Sequence, residues 1–233
     1  MSEPWYLEFF RGAYQRLYSF EPERSAREAA FVREVLGLGP GARVLDLCCG
    51  SGRHLRGLGA IGVDRHLPSL RGLPAACAEM RALPLRSGSF DAVVSLFSSF
   101  GYLESDEEDL RVLREIARVL RPSGALFLDL LNREHALAGF VPSLQRVEED
   151  GTLVVERRRF DALGGRLTTS FVTVSPSGER FESAGHSLRL YTLSELSKLL
   201  AAAGLRLERT VGGFGGEPYS IESIRMISIA KRA

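Results

Sequence analysis

The amino-acid sequence predicts an α/β fold: a seven-stranded, mostly parallel sheet, preceded by helices and interrupted near its end by an antiparallel β insertion. Three observations carry this reading. A short apolar run, Arg43 to Leu47, passes directly into the glycine turn Gly50, Ser51, Gly52. From there to Leu131, strand-like and helix-like segments alternate, as in a doubly wound parallel sheet with right-handed crossovers. From residue 144 to 190, strands follow one another through turns with no helix between them.

Residues 1–40 read as cover helices. Trp5, Leu7, Phe10, Tyr14, Leu17 and Tyr18 recur at spacings of three and four, and Ala26 to Leu36 repeats the pattern before Gly37 to Gly41 ends it. Residues 41–131 form the half built on the first five strands: Arg43–Leu47, Ala60–Val63, Ala75–Ala78, Ala92–Phe97 and Ala125–Leu131. Pro68 and Pro74 allow only a short connection between the second and third. Before the fifth strand, Ser105 caps a helix whose first turn holds Asp106, Glu107, Glu108 and Asp109, where negative charge complements the helix dipole. Its buried stripe is Leu110, Leu113, Ile116, Ala117 and Leu120, and Pro122 to Gly124 stops it. Residues 144–190 read as the insertion, with strands Val147–Phe160, Arg166–Val174 and Glu179–Leu190 and turns at Asp150 Gly151, Gly164 Gly165 and Pro176 to Gly178. In residues 191–233, Thr192 and Glu195 form a capping box for a helix ending at Gly204, and Arg206–Val211 and Ser223–Ala230 complete the sheet. The whole is expected to be one domain of 233 residues.

Composition leaves several classes without support. A net charge of +1, with both signs interspersed, imposes no basic face, so no nucleic-acid partner is predicted. Cys48, Cys49 and Cys77 are three in number and lack CxxC spacing, which predicts neither a disulfide framework nor a metal site and suits a reducing, cytoplasmic setting. The first twenty residues mix aromatics with charge, unlike a signal peptide, and no apolar run reaches the length of a membrane span.

Ligands of an open α/β sheet bind beyond the carboxyl ends of the strands, where strand order reverses. Asp46, Cys49, Gly50, Ser51, Gly52, Asp64 and Glu79 all fall at such ends. Three acidic groups there fit a ligand with hydroxyls, an amino group and positive charge better than a phosphate-rich one. Gly50 and Gly52 let the backbone approach a ligand, and Asp64 stands where a carboxylate accepts both hydroxyls of a ribose. A nicotinamide dinucleotide needs GxGxxG, but the third position is Leu55, and no GxxxxGK[ST] loop is present.

These segments resemble the class I S-adenosylmethionine-dependent methyltransferases, whose sheet is Rossmann-like. VLDLCCGSGRH at Val44–His54 is similar to the first motif, IGVD at Ile61–Asp64 to the second, and AEMRALPL and SFDAVVS to the third and fourth. The likeness covers Gly41 to Leu131, and the tail is similar to small-molecule methyltransferases with a β insertion over the acceptor pocket. The resemblance implies S-adenosylmethionine as methyl donor. Asp46 and Gly50–Gly52 with Cys49 would hold its methionine part, Asp64 the ribose, and Glu79 with Met80 the adenine edge. Ser95, Leu96 and Phe97 would line the donor site, with Tyr14 and Tyr18 of the N-terminal helices covering it. This chain departs from the family pattern in a short interval from Asp46 to Asp64, an abbreviated stretch from there to Glu79, and a glutamate where aspartate is usual.

The acceptor is expected to be a small molecule, because SLFSSFGY stands where nucleic-acid adenine methyltransferases carry an NPPY-type motif. Methyl transfer draws much of its rate from proximity, worth roughly 7–11 kcal/mol in favourable cases, and needs a base only for a protonated acceptor. The catalytic residue is therefore left open, with His135 and Tyr102 as candidates and stacking by Phe100 as a further expectation. Cys48 and Cys49 are read as packed, His54 as capping or packing, His186 as an exposed strand residue, and Arg157, Arg158 and Arg159 as alternating across a strand. A nucleotide-cofactor oxidoreductase and a donor-binding regulator without activity are the competing readings.

Overall fold

Residues 21–66 and 71–233 are described by the computed structural model. Helix α1 spans Pro22–Val35, earlier than its apolar periodicity suggests because Pro22 supplies a first-turn residue with no amide hydrogen to satisfy. Then come β1 (Val44–Leu47), α2 (Leu55–Leu58), β2 (Ala60–Asp64), β3 (Ala75–Cys77), β4 (Phe90–Ser95), α3 (Asp106–Val119), β5 (Leu120–Leu131) and α4 (Arg133–Ala138). Strands β6 (Ser143–Val147), β7 (Leu153–Asp161), β8 (Arg166–Val174) and β9 (Arg180–Arg189) follow, and α5 (Leu193–Ala202), β10 (Leu205–Val211) and β11 (Arg225–Arg232) complete the chain.

Seven strands form one sheet in the order β10-β11-β5-β4-β1-β2-β3. Strands β1 to β5 are parallel, and β11 is antiparallel to both β5 and β10. The chain winds outward from β1 in one direction and from β4 in the other, so the order reverses between β1 and β4. The other four strands form a separate antiparallel sheet, β6-β7-β8-β9. The chain divides into two compact units, one on the seven-stranded sheet, the other comprising Leu137–Leu190.

Local chemistry explains most boundaries. Ser105 accepts the amide hydrogen of Glu108 at 3.3 Å to start α3. Thr192 and Glu195 make the reciprocal capping box that starts α5. Helix α2 is a single turn, closed by Gly59 at φ 64°. Strand β5 begins at Leu120, before the proline: Leu120 pairs with Phe90, the chain bulges through Pro122–Gly124, and pairing resumes at Ala125 with Ala92. Strand β6 was not anticipated as a separate strand, because its five residues are all exposed and carry no alternation. It pairs with β7 across the turn at Gly151.

The two faces of the large sheet bury separate cores. On one, Leu45, Leu47, Val93, Leu126 and Leu128 pack against Leu113, Ile116, Leu196 and Leu200 of α3 and α5. On the other, Val44, Val94, Phe127, Ile227 and Ile229 pack against Ala29 and Val32 of α1 and Leu55 and Leu58 of α2. Phe31, Phe127 and Phe214 meet there with ring centroids 5.8–6.3 Å apart, joining α1 to the loop between β10 and β11. Paired residues on neighbouring strands face the same side, so the register Asp46–Val94–Phe127 puts Asp46 on this second face.

Candidate functional site

Strand β1 ends by turning sharply. The amides of Cys48 and Cys49 both donate to the Val63 carbonyl, at 2.8 and 3.1 Å, and Cys48 sits at φ 62°. Gly50 and Gly52 follow at φ 55° and 76°, a left-handed conformation that glycine adopts without strain. This turn leaves Asp46 at the sheet's carboxyl edge, 2% exposed, with Oδ2 lacking any hydrogen-bond partner among the described residues. Burial pushes its carboxyl up to about 7; Arg53 opposes the shift and the negative charge of Asp64 adds to it. A buried oxygen left without a donor is costly, and a cationic amino group would relieve both the missing hydrogen bond and the desolvated charge.

Asp64 ends β2. Its Oδ2 accepts the Gly50 amide at 2.9 Å and its Oδ1 the His66 amide at 2.8 Å, so the carboxylate is locked against the glycine turn. Each oxygen keeps a further lone pair, enough for two adjacent hydroxyls. Glu79, beyond β3, is engaged by Arg65 at 2.8 Å and Arg81 at 3.2 Å. Burial raises its pKa, but the hydrogen bonds and charge of Arg81, with Arg65, outweigh burial and leave it lowered. Arg81 also pairs with Glu108. Met80 lies with its sulfur 3.6 Å from that of Cys48. Burial, reinforced by the carboxylates around them, raises the Cys48 thiol pKa well above the usual range and that of Cys49 to about 12, so both stay protonated at neutral pH.

From β4, Ser95 and Leu96 are buried. Phe97 and Ser98 both stand at φ 58°, two consecutive left-handed non-glycine residues that cost roughly 1–2 kcal/mol each. Asp129 of β5 holds them: its Oδ2 accepts the Phe97 amide at 2.7 Å and its carbonyl the Ser98 amide at 3.0 Å. Arg225 completes the support, donating to Asp129 Oδ1 at 2.6 Å and Ser98 Oγ at 3.0 Å. The guanidinium groups of Arg53, Arg225 and Arg24 lie 5.5, 5.8 and 5.9 Å from the Phe97 ring centroid. Sequence reasoning missed Asp129 and Arg225, although one aspartate inside the apolar run ALFLDLL was a usable signal.

Helix α1 anchors the turn from the other side. Buried Glu28 contacts Arg53 at 2.6 Å, His54 at 2.8 Å and Arg24 at 2.9 Å. Burial alone would raise its pKa, but His54, Arg24 and Arg53 together bring it down to about 2. His54 is thus a structural residue. His135 is half-buried on α4, Tyr102 half-buried after β4, and Phe100 is buried 5.8 Å from the ring of Tyr191. Asp91 accepts the Arg43 amide at 2.7 Å and so orders the turn into β4. His186 belongs to the unit of β6 to β9 and is half-buried rather than exposed, and burial lowers its pKa to about 4; in the same unit Arg157 and Arg159 are exposed and Arg158 is half-buried. Among the described residues no group of three or more His, Cys, Asp or Glu side chains is arranged to hold a metal ion. Tyr14 and Tyr18 lie outside the described residues.

The structure therefore brings Asp46, Cys49, Gly50, Ser51, Gly52 and Asp64 together at the edge where strand order reverses, with Ser95 ending the adjacent strand and Leu96 and Phe97 just beyond it. A family described as a methyltransferase domain matches residues 45–128. The cypemycin N-terminal methyltransferase of a Streptomyces species is 29% identical over 209 residues, 82% of this chain and 84% of its own. A dTDP-3-amino-3,4,6-trideoxy-alpha-D-glucopyranose N,N-dimethyltransferase of Streptomyces venezuelae is 31% identical over 189 residues, 74% of this chain and 79% of its own. Among solved structures, SAM-bound CalS10, an amino pentose methyltransferase from Micromonospora echinaspora, superposes with a TM-score of 0.67 at 23% identity, covering 100% of both chains.

Proposed function

The chain belongs to the class I S-adenosylmethionine-dependent methyltransferases, and we propose that within that family it methylates an amine nitrogen of a small-molecule acceptor. S-adenosylmethionine is the cofactor, and it supplies an electrophilic methyl group on a sulfonium sulfur. The observation that carries the donor assignment is Asp46: a buried carboxylate oxygen with no partner among the described residues matches the amino group of the donor's methionine part. Gly50, Ser51 and Gly52 with Cys49 line the same part, and the locked carboxylate of Asp64 takes the ribose hydroxyls. Met80 flanks the adenine edge. Glu79 shares that edge through a carboxylate already engaged by two arginines. Ser95, Leu96 and Phe97 form the wall from β4, stiffened by Asp129.

The amine acceptor is supported by the names of the relatives, which describe methylation of a peptide N-terminus and of an amino sugar. With donor and acceptor aligned, proximity supplies most of the rate. Three free thiols support a reducing, cytoplasmic setting, and no helix among the described residues is long and apolar enough to cross a membrane.

Two measurements test this reading. Calorimetric titration with S-adenosylhomocysteine is expected to give binding by the native chain and loss of at least tenfold for Asp64→Ala, about 1.4 kcal/mol or more. Incubation with labelled donor and paired acceptors, amino sugars beside their hydroxyl counterparts, is expected to label the amines. Label on the hydroxyl compounds alone would reject the amine acceptor while leaving the donor assignment standing.

A further inference from the structure

Strand β5 runs out at Leu131, and a small polar network follows it. Asn132 is fully buried, and its Nδ2 donates to the carbonyls of Ser220 at 3.0 Å and Ser223 at 2.7 Å. Those two bonds fix the amide's orientation and turn Oδ1 the other way, where it accepts the Glu134 amide at 3.2 Å and the Tyr219 hydroxyl at 3.1 Å. The same hydroxyl lies 3.3 Å from Glu134 Oε2. A phenol carries one hydrogen, and both of its neighbours here are acceptors. If the phenol donates to Glu134, Asn132 Oδ1 keeps the Glu134 amide as its donor; if it donates to Asn132, Glu134 Oε2 faces the phenol oxygen without that hydrogen.

Glu134 is also short of a cation. It is half-buried, and among the described residues no basic side chain lies within ion-pair distance of it; neighbouring Arg133 reaches Glu195 instead, at 3.3 Å. Burial first, and then the charge of Glu134, raise the Tyr219 pKa to about 12, so the phenol stays a neutral donor. Glu134 thus presents a carboxylate with no cation against it among the described residues, and it sits past the carboxyl end of β5, two strands from β1.

We propose that Glu134 and Tyr219 form the subsite that receives the acceptor's amino group, an N–H of the amine donating to the Glu134 carboxylate. The proposal rests on the amine reading above and names the residues that enact it. As the neutral nitrogen attacks, the N–CH3 bond forms while the S–CH3 bond breaks, and the nitrogen takes on the positive charge that the sulfur loses. The surplus proton then leaves the methylated ammonium to water. Glu134 carries a full negative charge beside that nitrogen. It stabilises the charge that develops during transfer more than it stabilises the uncharged amine, which is the condition for faster chemistry.

The test uses the full chain with labelled donor, taking glucosamine and an alanyl dipeptide as amine probes and glucose and the N-acetylated dipeptide as amine-free counterparts. Glu134→Gln keeps the side chain's shape and the Tyr219 contact, and is expected to lower kcat/KM for the amine probes about 100-fold. Its melting temperature and its affinity for S-adenosylhomocysteine should match the native chain, and Glu134→Asp should recover part of the loss. Tyr219→Phe should give a smaller loss in the same direction. In the complex with S-adenosylhomocysteine, glucosamine should bind the native chain more tightly than Glu134→Gln. Equal kcat/KM for the amines in the native chain and Glu134→Gln would overturn the subsite and leave the amine reading intact. Turnover of the amine-free compounds alone would remove both.

Discussion

Asp46 makes the folded protein and its donor compete over one proton. In the unfolded chain this carboxyl would ionise near the ordinary value of 3.8; folding buries it and moves the value to about 7. The sign follows from which form burial penalises. Well below pH 3.8 the group is protonated in both states and costs nothing. As pH rises toward 7 the unfolded chain releases its proton while the folded one retains it, so stability falls. The full penalty, reached above about 7, is about 3 pH units at 1.36 kcal/mol each, on the order of 4 kcal/mol. Donor binding has the opposite preference, because an ammonium group pairs with the carboxylate and not with the acid. Affinity for S-adenosylhomocysteine should therefore weaken close to tenfold per unit as pH drops below about 7, and level off above it. Calorimetry at pH 6 in buffers of different ionisation enthalpy should detect nearly one proton released per ligand bound. Asp46→Asn should abolish this dependence, bind ligand poorly at every pH, and melt higher than the native chain at pH 8. An affinity that stays flat from pH 5.5 to 8, or an Asp46→Asn variant less stable at pH 8, would refute the argument.

Other perturbations have equally definite outcomes. Glu28→Ala leaves Arg53 and His54 without their buried partner and should cost about 3–5 kcal/mol in urea unfolding at pH 7. Because the folded pKa of Glu28 is depressed from 4.5 to about 2, its stabilising contribution is present above about 4.5 and should disappear as pH falls toward 2. Tyr191 donates toward Asp109 at 2.7 Å and Asp106 at 3.0 Å, so Tyr191→Phe should cost about 1.5–3 kcal/mol by the same assay. Thiol titration of the native protein should label exposed Cys77 quickly, whereas Cys48 and Cys49 should react only on unfolding; fast modification of all three would contradict their burial and raised pKa values.

Much of the scaffold was legible before any coordinates. Alternating segments located the parallel strands, Ser105 and Thr192 marked helix starts by side chains that satisfy free amides, and Gly50 and Gly52 marked a turn of left-handed backbone. These are local signals, set by a residue and its near neighbours in the chain. The same locality exposed Asp46 and Asp64, because a carboxylate ending an apolar strand stands out in one dimension.

Partnership was not legible, since it is made between segments far apart. Asp129 steadies Phe97 from 32 residues away and is itself gripped by Arg225, 96 residues further on. Glu79 looked available in the sequence, yet Arg65 and Arg81 converge on it in three dimensions. Glu134 acquires its partner only through the loop before β11, which brings Tyr219 to its side from 85 residues away. The sequence by itself determined the strand-and-helix grammar and the chemical types at the sheet's carboxyl edge. Only the tertiary structure decided which of those groups are neutralised and which are left wanting a ligand, because ionic and hydrogen-bond satisfaction depend on distances that chain order does not encode.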